Sequence, residues 1–264
     1  MSSRESTSKT LLVALLLCVV CSVVVSAAAV ILQPLQTANR ILDRNRNILS
    51  AAGLYDDEQH DDADVASMFA EFTPRIVDLT RGEFLGSEAV EDLGIDMATY
   101  DQREHINDSQ FSQSIAAEED VADIKRRVIY PMIYLEESAG EVETIVLPVN
   151  GYGLWGIMYG YLALEGDGRT VKGIAFYELK ETPGLGAEVR NPRWVALWPG
   201  KQIYDEDGDV ALSIVKGQGQ GNYEVDGLSG ATLTSRGVDN MIDYWMGENG
   251  YGPLLEQFQS SVRN

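Results

Sequence analysis

The chain has 264 residues, enough for one large domain or two small ones. Its net charge of −21 and pI near 4.3 argue against a nucleic-acid binder and against a protein lying on an anionic membrane surface, since both need clustered Lys and Arg. The acidity reads as a solvated, strongly charged exterior. Only two cysteines occur, Cys18 and Cys21 in a CxxC spacing, and only two histidines, His60 and His105. The cysteines fall inside an apolar run with no partner ligands, so they read as small apolar residues of a membrane span. The histidines stand in polar, acidic surroundings and read as surface residues, which argues against histidine catalysis or a metal site.

Residues 1–9 form a short polar tail with Arg4 and Lys9. From Thr10 to Leu32 there is no charge, and the run is long enough to span a hydrocarbon core. A cleavable signal peptide competes, because Ser26-Ala27-Ala28-Ala29 resembles a cleavage site; the length of the run favours a retained anchor. We therefore assign a transmembrane helix to 10–33. Charge does not settle its orientation, since Arg40, Arg44 and Arg46 follow the span.

Residues 34–60 are expected to form a membrane-proximal helix and an acidic linker. Leu35, Ala38, Leu42, Leu49 and Ala52 share one stripe with near-heptad spacing, which suits a partner helix or the chain's own domain. Gly53 is placed as the C-cap. The acidic stretch from Asp56 to Asp64 lacks the glycine and terminal Glu of a calcium loop.

Residues 61–264 carry the domain. A short helix is expected to close at Met68–Phe72, followed by a strand over Arg75–Leu79 and a turn at Gly82. Residues 86–120 are uninformative. Val121–Arg127 reads as a helix end, and Val128–Leu135 as a strand that Pro131 demotes to an edge or bulge. Strands are expected over Glu143–Val149, Met158–Leu164, Val171–Leu179, Ala211–Val215 and Asn222–Val225. Between the first two lies a run of glycines and aromatics, Gly151 to Gly160; it suits either a planar ligand or a Gly-rich turn. Pro183-Gly184 makes a tight turn, and Gly186 leaves backbone accessible. Asn191-Pro192 opens a short helix with Trp194 and Trp198. Tyr251–Val262 makes a final amphipathic helix. Strands and helices alternate without βαβ rhythm, so the fold class is α+β with a largely antiparallel sheet and flanking helices. There is no Rossmann or Walker A motif.

The stretch that organises the domain is Asp226-Gly227-Leu228-Ser229-Gly230-Ala231-Thr232, between a strand and a helical pattern of Val238, Met241, Ile242 and Trp245. Ser229 is placed as the helix N-cap. Free N–H groups and the positive helix end there suit a phosphate, and Thr232 puts a hydroxyl beside it. On local chemistry alone an ordinary capped helix is the commoner reading.

That stretch resembles the covalent flavinylation motif, Asp-x-x-Ser/Thr-Gly/Ser-Ala-Thr/Ser. Four further segments extend the resemblance: the anchor with the Leu42–Leu54 helix, Leu147–Leu164, Glu181–Gly186 and Asn191–Gly200. Together they resemble the C-type subunit of the sodium-translocating NADH:quinone reductase. The resemblance implies FMN joined as a phosphoester to Thr232 by a magnesium-dependent flavin transferase, with Asp226 serving that transfer. It implies Ser229, Gly230 and Ala231 around the phosphate. Trp155 and Leu185 are expected to pack on the isoalloxazine, with Thr182, Gly186 and the turn backbone supplying hydrogen bonds. It further implies a cytoplasmic N-terminus and a periplasmic FMN domain on the bacterial inner membrane. Partner subunits of the A, B, D, E and F type are implied. Electrons would arrive from an iron–sulfur centre and leave to a second FMN on the B-type subunit. Two alternatives stand beside it: the G-type subunit of the related Rnf complex, and an anchored binding module without flavin.

Overall fold

The computed structural model describes residues 7–56 and 58–262. Arg4, most of the 1–9 tail and the last two residues lie outside that range. The chain divides into two compact units, one up to Asp43 and one from Arg44 onward.

The first unit is helical throughout its described part. It belongs to helix α1 (Thr7–Ala51), which contains Pro34 and has an 18-residue window of mean hydropathy 3.0. Leu, Val and Ile side chains from Leu11 to Leu35 are exposed, as are both free cysteines. A helix so apolar and uncovered is long enough to cross a bilayer.

The second unit opens on the last two turns of α1, where Ile48, Leu49 and Ala51 are buried. Gly53, at φ +73°, ends the helix. Its N–H donates to Ser50 and the N–H of Leu54 to Leu49, the Schellman pairing of a C-cap glycine. Of the expected apolar stripe, Leu35 and Ala38 are exposed while Leu49 and Ala52 are buried in the second unit.

Next come α2 (Asp62–Phe69), capped by Asp61, then β1 (Phe72–Asp78), β2 (Glu83–Phe84) and α3 (Ser87–Asp92). A 3-10 turn, Gln102–His105, precedes β3 (Ser112–Ser114) and β4 (Arg126–Val128). The remaining sheet strands are β5 (Met132–Ser138), β6 (Glu141–Tyr152), β7 (Ile157–Glu165) and β8 (Val171–Glu178). Then follow α4 (Pro192–Val195), β9 (Ser213–Val215), β10 (Glu224–Asp226), α5 (Thr232–Met246) and α6 (Gly252–Val262).

The main sheet runs in the order β2-β1-β5-β6-β7-β8, every pair antiparallel. The class is therefore α+β, as expected. Thr144 to Val149 are buried at every position, so both faces of the sheet are covered. On one face Leu147, Leu162 and Ile174 join Val238, Met241 and Leu254 of α5 and α6 in the main core. The other face carries a row of aromatic rings, in which Tyr134, Tyr161 and Tyr177 neighbour one another at 6.2 and 5.2 Å. The end of α1 helps cover that face: a Cβ at Gly173 would strike the Ala51 carbonyl, and Arg44 lies 6.0 Å from the Tyr134 ring.

Two local expectations fail. Val121–Arg127 is not a helix end. Asp120 instead takes the N–H groups of Ile124 and Lys125 in a tight turn, with Asp123 and Lys125 at positive φ. Val128–Leu135 is not one strand. Pro131 separates β4 from β5, which pair in different sheets, and β5 is an interior strand. The proline costs nothing there because it precedes β5 and its carbonyl accepts from Val77 N–H. Both histidines are half-buried, and the His105 ring lies 4.5 Å from that of Phe111, tilted 35° to it.

The uninformative stretch 86–120 docks through Arg103. Its guanidinium lies 3.8 Å over the Tyr159 ring and donates to Glu178 at 2.9 Å. That hydrogen bond holds the Glu178 carboxyl below its ordinary range. The stabilisation from a depressed carboxyl is fully present above the ordinary carboxylate range and is lost as pH falls through the lowered native pKa. Arg103→Ala is expected to cost about 1–2 kcal/mol at neutral pH, from the lost ring contact and a partly exposed ion pair. In urea unfolding the deficit should narrow below about pH 4. An equal deficit at both pH values would show that the ion pair contributes nothing.

Candidate functional site

The motif stretch is built by a small parallel pair. β10 lies beside β9, with Val225 opposite Ile214, and Gly227 N–H closes the pair on Val215 O at 2.7 Å. The chain then turns through Gly230, at φ +79°, into α5. Asp239, on α5, accepts Ile214 N–H at 2.7 Å and fixes the helix against β9. Trp194 Nε1 donates to Asp226 O at 2.7 Å and fixes the turn against α4.

Ser229 is not the N-cap of α5. The cap is Ala231, which has no hydroxyl, and no side chain caps the helix. The reason is the turn at Gly230, which begins the helix two residues later than the Ser–Gly–Ala–Thr pattern suggests. The consequence favours an anion. The backbone N–H groups of the first turn keep their donors for a ligand rather than spending them on a serine.

Four hydroxyls cluster here, and the fold separates them. Thr234 is 1% exposed and donates to Glu181 Oε2 at 2.5 Å. Ser235 is buried, and its Oγ accepts Leu228 N–H at 2.9 Å. Ser229 and Thr232 are exposed, and of the two only Thr232 belongs to α5. Thr232 is thus the one solvent-facing hydroxyl at the uncapped helix end.

Two other turns meet this end. The β6–β7 hairpin carries Leu154 and Trp155, both exposed, Trp155 at 63%. The turn from Thr182 carries Leu185, also exposed, and the Thr182 carbonyl accepts the N–H groups of Leu185 and Ala187 at 3.1 Å. A Cβ at Gly230 would lie 3.4 Å from Leu185 Cδ2, so this turn abuts the motif. The hairpin approaches α5 because a glycine stands at each contact, Gly151 on the hairpin side and Gly237 on the helix. A Cβ at Gly151 would come within 2.7 Å of Met241 Cβ, and one at Gly237 would strike the Tyr152 carbonyl. The hairpin, the turn and the first turn of α5 thus each present an exposed apolar side chain, Trp155, Leu185 and Leu233, which suits a planar ring attached at this helix end.

Sequence reasoning has Glu181 only as the first residue of a resembling segment and gives it no role. It is buried, and Oε1 accepts Leu154 N–H at 2.9 Å and Trp155 N–H at 3.0 Å. Nothing local marks its role, since its partners lie 26 to 53 residues away. Gly186 completes the cluster: a Cβ there would collide with both Glu181 and Thr234. Asp226 has a structural task, its Oδ1 accepting Gly219 N–H at 2.9 Å. With Ser229 it also lines an open cleft of about 400 Å³ beside the motif, between Trp194 and Leu228. Trp155, Thr182 and Leu185 do not line that cleft. Among the described residues no cluster of His, Cys, Asp or Glu suits a metal ion.

A family model described as an FMN-binding domain matches residues 153–247, which hold the hairpin, the Thr182–Gly186 turn and the motif. Fold and site thus define an FMN-binding domain that follows one apolar helix in the chain. The C-type subunit of the Na(+)-translocating NADH-quinone reductase of Pseudomonas aeruginosa is 47% identical over 260 residues, 97% of each chain. The same component from Vibrio alginolyticus is 44% identical over 266 residues, covering 100% of this chain and 99% of the relative. The crystal structure of Shewanella oneidensis NqrC superposes with TM-score 0.75 at 30% identity, covering 84% of this chain and 99% of that one. The chain belongs to the NqrC family, the C-type subunits of Na(+)-translocating NADH-quinone reductase.

Proposed function

We propose that this protein is the electron-carrying subunit of a sodium-pumping NADH:quinone reductase, with FMN joined through a phosphoester to Thr232. The observation that carries it is the exposed Thr232 hydroxyl at an uncapped helix N-terminus, with exposed Trp155 and Leu185 on the two turns tied to that helix end through Glu181 and Gly230. The relatives' names favour this over the G-type subunit of Rnf, and the FMN-binding match favours it over a module without flavin. FMN, when attached, supplies the redox chemistry. The chain's own residues hold it. The first-turn N–H groups of α5 offset phosphate charge, with Gly230 and Ala231 letting the backbone approach. Trp155 and Leu185 pack on the ring, and Thr182 with the Gly186 turn offers hydrogen bonds. Ser229 and Asp226 flank the phosphate on the cleft side, where Asp226 holds the loop and serves the transfer reaction.

The apolar helix anchors the protein in a membrane. In our reading this is the bacterial inner membrane, with the N-terminus cytoplasmic and the FMN domain periplasmic. Subunits of the A, B, D, E and F type are the partners in electron transfer, and a flavin transferase is the partner in maturation. A covalent link suits that compartment, since FMN lost outside the cytoplasm could not be replaced. The test is export of the chain together with a flavin transferase. A band that fluoresces after denaturing electrophoresis, with a mass gain of one FMN less one water, is the expected result. A colourless chain of unmodified mass would sink the proposal.

A further inference from the structure

Glu181 is a buried carboxylate that no nearby cation neutralises among the described ion pairs. It collects donors from two separate elements. Oε1 takes the N–H groups of Leu154 and Trp155 at the hairpin tip, and Oε2 takes the Thr234 hydroxyl in the first turn of α5. Glu181 itself begins the turn that bears Leu185. One side chain therefore joins three elements at the first turn of α5, and each of the three contributes one of the groups assigned to the flavin.

The packing shows that this junction has no slack. A Cβ at Gly153 would come within 2.5 Å of Glu181 Oε1. A Cβ at Gly186 would collide with Glu181 Oε2 and Thr234 Oγ1 together. The glycines leave room for the carboxylate and nothing else. The two side chains at the hairpin tip are not packed into the core. Leu154 and Trp155 are exposed, so burial cannot fix their positions. Their amides are fixed by Glu181.

We propose that Glu181, clasped by Thr234, is a positioning residue: it sets where Trp155 and Leu185 stand relative to the flavin attached at Thr232. The proposal rests on the flavin reading above. Glu181 touches no reacting atom and acts through the backbone of the hairpin. A carboxamide at position 181 can still accept both hairpin amides through its oxygen and bond the Thr234 hydroxyl through its nitrogen. An alanine can do neither. Glu181→Gln and Glu181→Ala therefore separate positioning from charge.

Two readouts on the full chain in detergent test this. The first is amide hydrogen exchange on flavin-free protein, made without the transferase. Leu154 and Trp155 amides are expected to exchange slowly in the native chain and in Glu181→Gln. In Glu181→Ala they should exchange about tenfold faster or more, while core amides keep their rates. The second is the visible circular dichroism of loaded protein, which reports the ring's fixed surroundings. In Glu181→Ala the flavin stays covalently attached, but its visible signal is expected to fall by about half or more; in Glu181→Gln it is retained. Should Glu181→Ala not fold, Thr234→Val opens only one arm of the clasp. It is expected to weaken the visible signal, and Thr234→Ser to restore it. Unchanged exchange at Leu154 and Trp155 in the alanine variant would overturn the clasp. Native visible signals in both Glu181→Ala and Thr234→Val would overturn the positioning role. A native chain that takes up no flavin would instead refute the flavin reading, with the exchange data still deciding the clasp.

Discussion

A Thr232→Val chain, exported with a flavin transferase, is expected to carry no covalent flavin at all. Valine keeps the shape and the β-branch of threonine, so α5 should form unchanged and the domain should melt within about 1 kcal/mol of the native chain. Only the nucleophilic oxygen is gone. The fold supplies no substitute. Thr234 is committed to Glu181 and Ser235 to Leu228 N–H, and both are buried. Ser229 is exposed, but it precedes the Gly230 turn and lies outside α5. A phosphoester there would lose the first-turn N–H groups that offset its charge. Thr232→Ser, which restores an oxygen at the same place, is expected to recover labelling. Intact mass and in-gel fluorescence read the result directly. Flavin persisting in the valine variant, mapped by peptide mass to Ser229, would move the attachment site across the turn.

The contrast between Ser229 and Thr234 shows what a sequence can carry. The strand-to-helix corner, its small residues and the Thr232 hydroxyl are all legible, because each depends on neighbours close in the chain. So are the main strands, whose β-branched and aromatic runs survive both-face burial. The cap is misplaced in sequence because Gly230 adopts a left-handed backbone, and a Ser two residues early looks the same as a Ser at the cap. The break at Pro131 is legible, but not that its two sides belong to different sheets. Glu181 is illegible for a plainer reason. Its partners come from β6–β7 and α5, and a carboxylate next to Thr-Pro-Gly looks like a surface turn until those elements close over it. Arg103 is similar: its value lies in Tyr159 and Glu178, 75 residues away for the latter, within a stretch that has no periodicity of its own.

The α1 helix leads to the second large effect. Sequence composition separates an apolar span from a membrane-proximal helix, but the compact unit begins at Arg44, inside that second segment. Ile48 and Leu49 are fully buried there, and Ala51 lies close enough to Gly173 to exclude a side chain. A chain beginning at Arg44 is therefore expected to be soluble without detergent, folded, and still able to accept flavin at Thr232. A chain beginning at Asp61 should be soluble but much weaker. Each lost aliphatic burial is worth about 1.5–3 kcal/mol, so Ile48 and Leu49 together contribute roughly 3–6 kcal/mol. That is a large share of the ~5–15 kcal/mol that stabilises an ordinary domain. The melting temperature of the shorter chain should fall by roughly 10–20 °C relative to the longer one. It should also expose the aromatic face around Tyr134, raising its tendency to aggregate. Membrane fractionation and thermal unfolding of the two truncations test both statements. If the chain from Asp61 melts within two or three degrees (about 1 kcal/mol) of the chain from Arg44, the last turns of α1 are a tether and not part of the core.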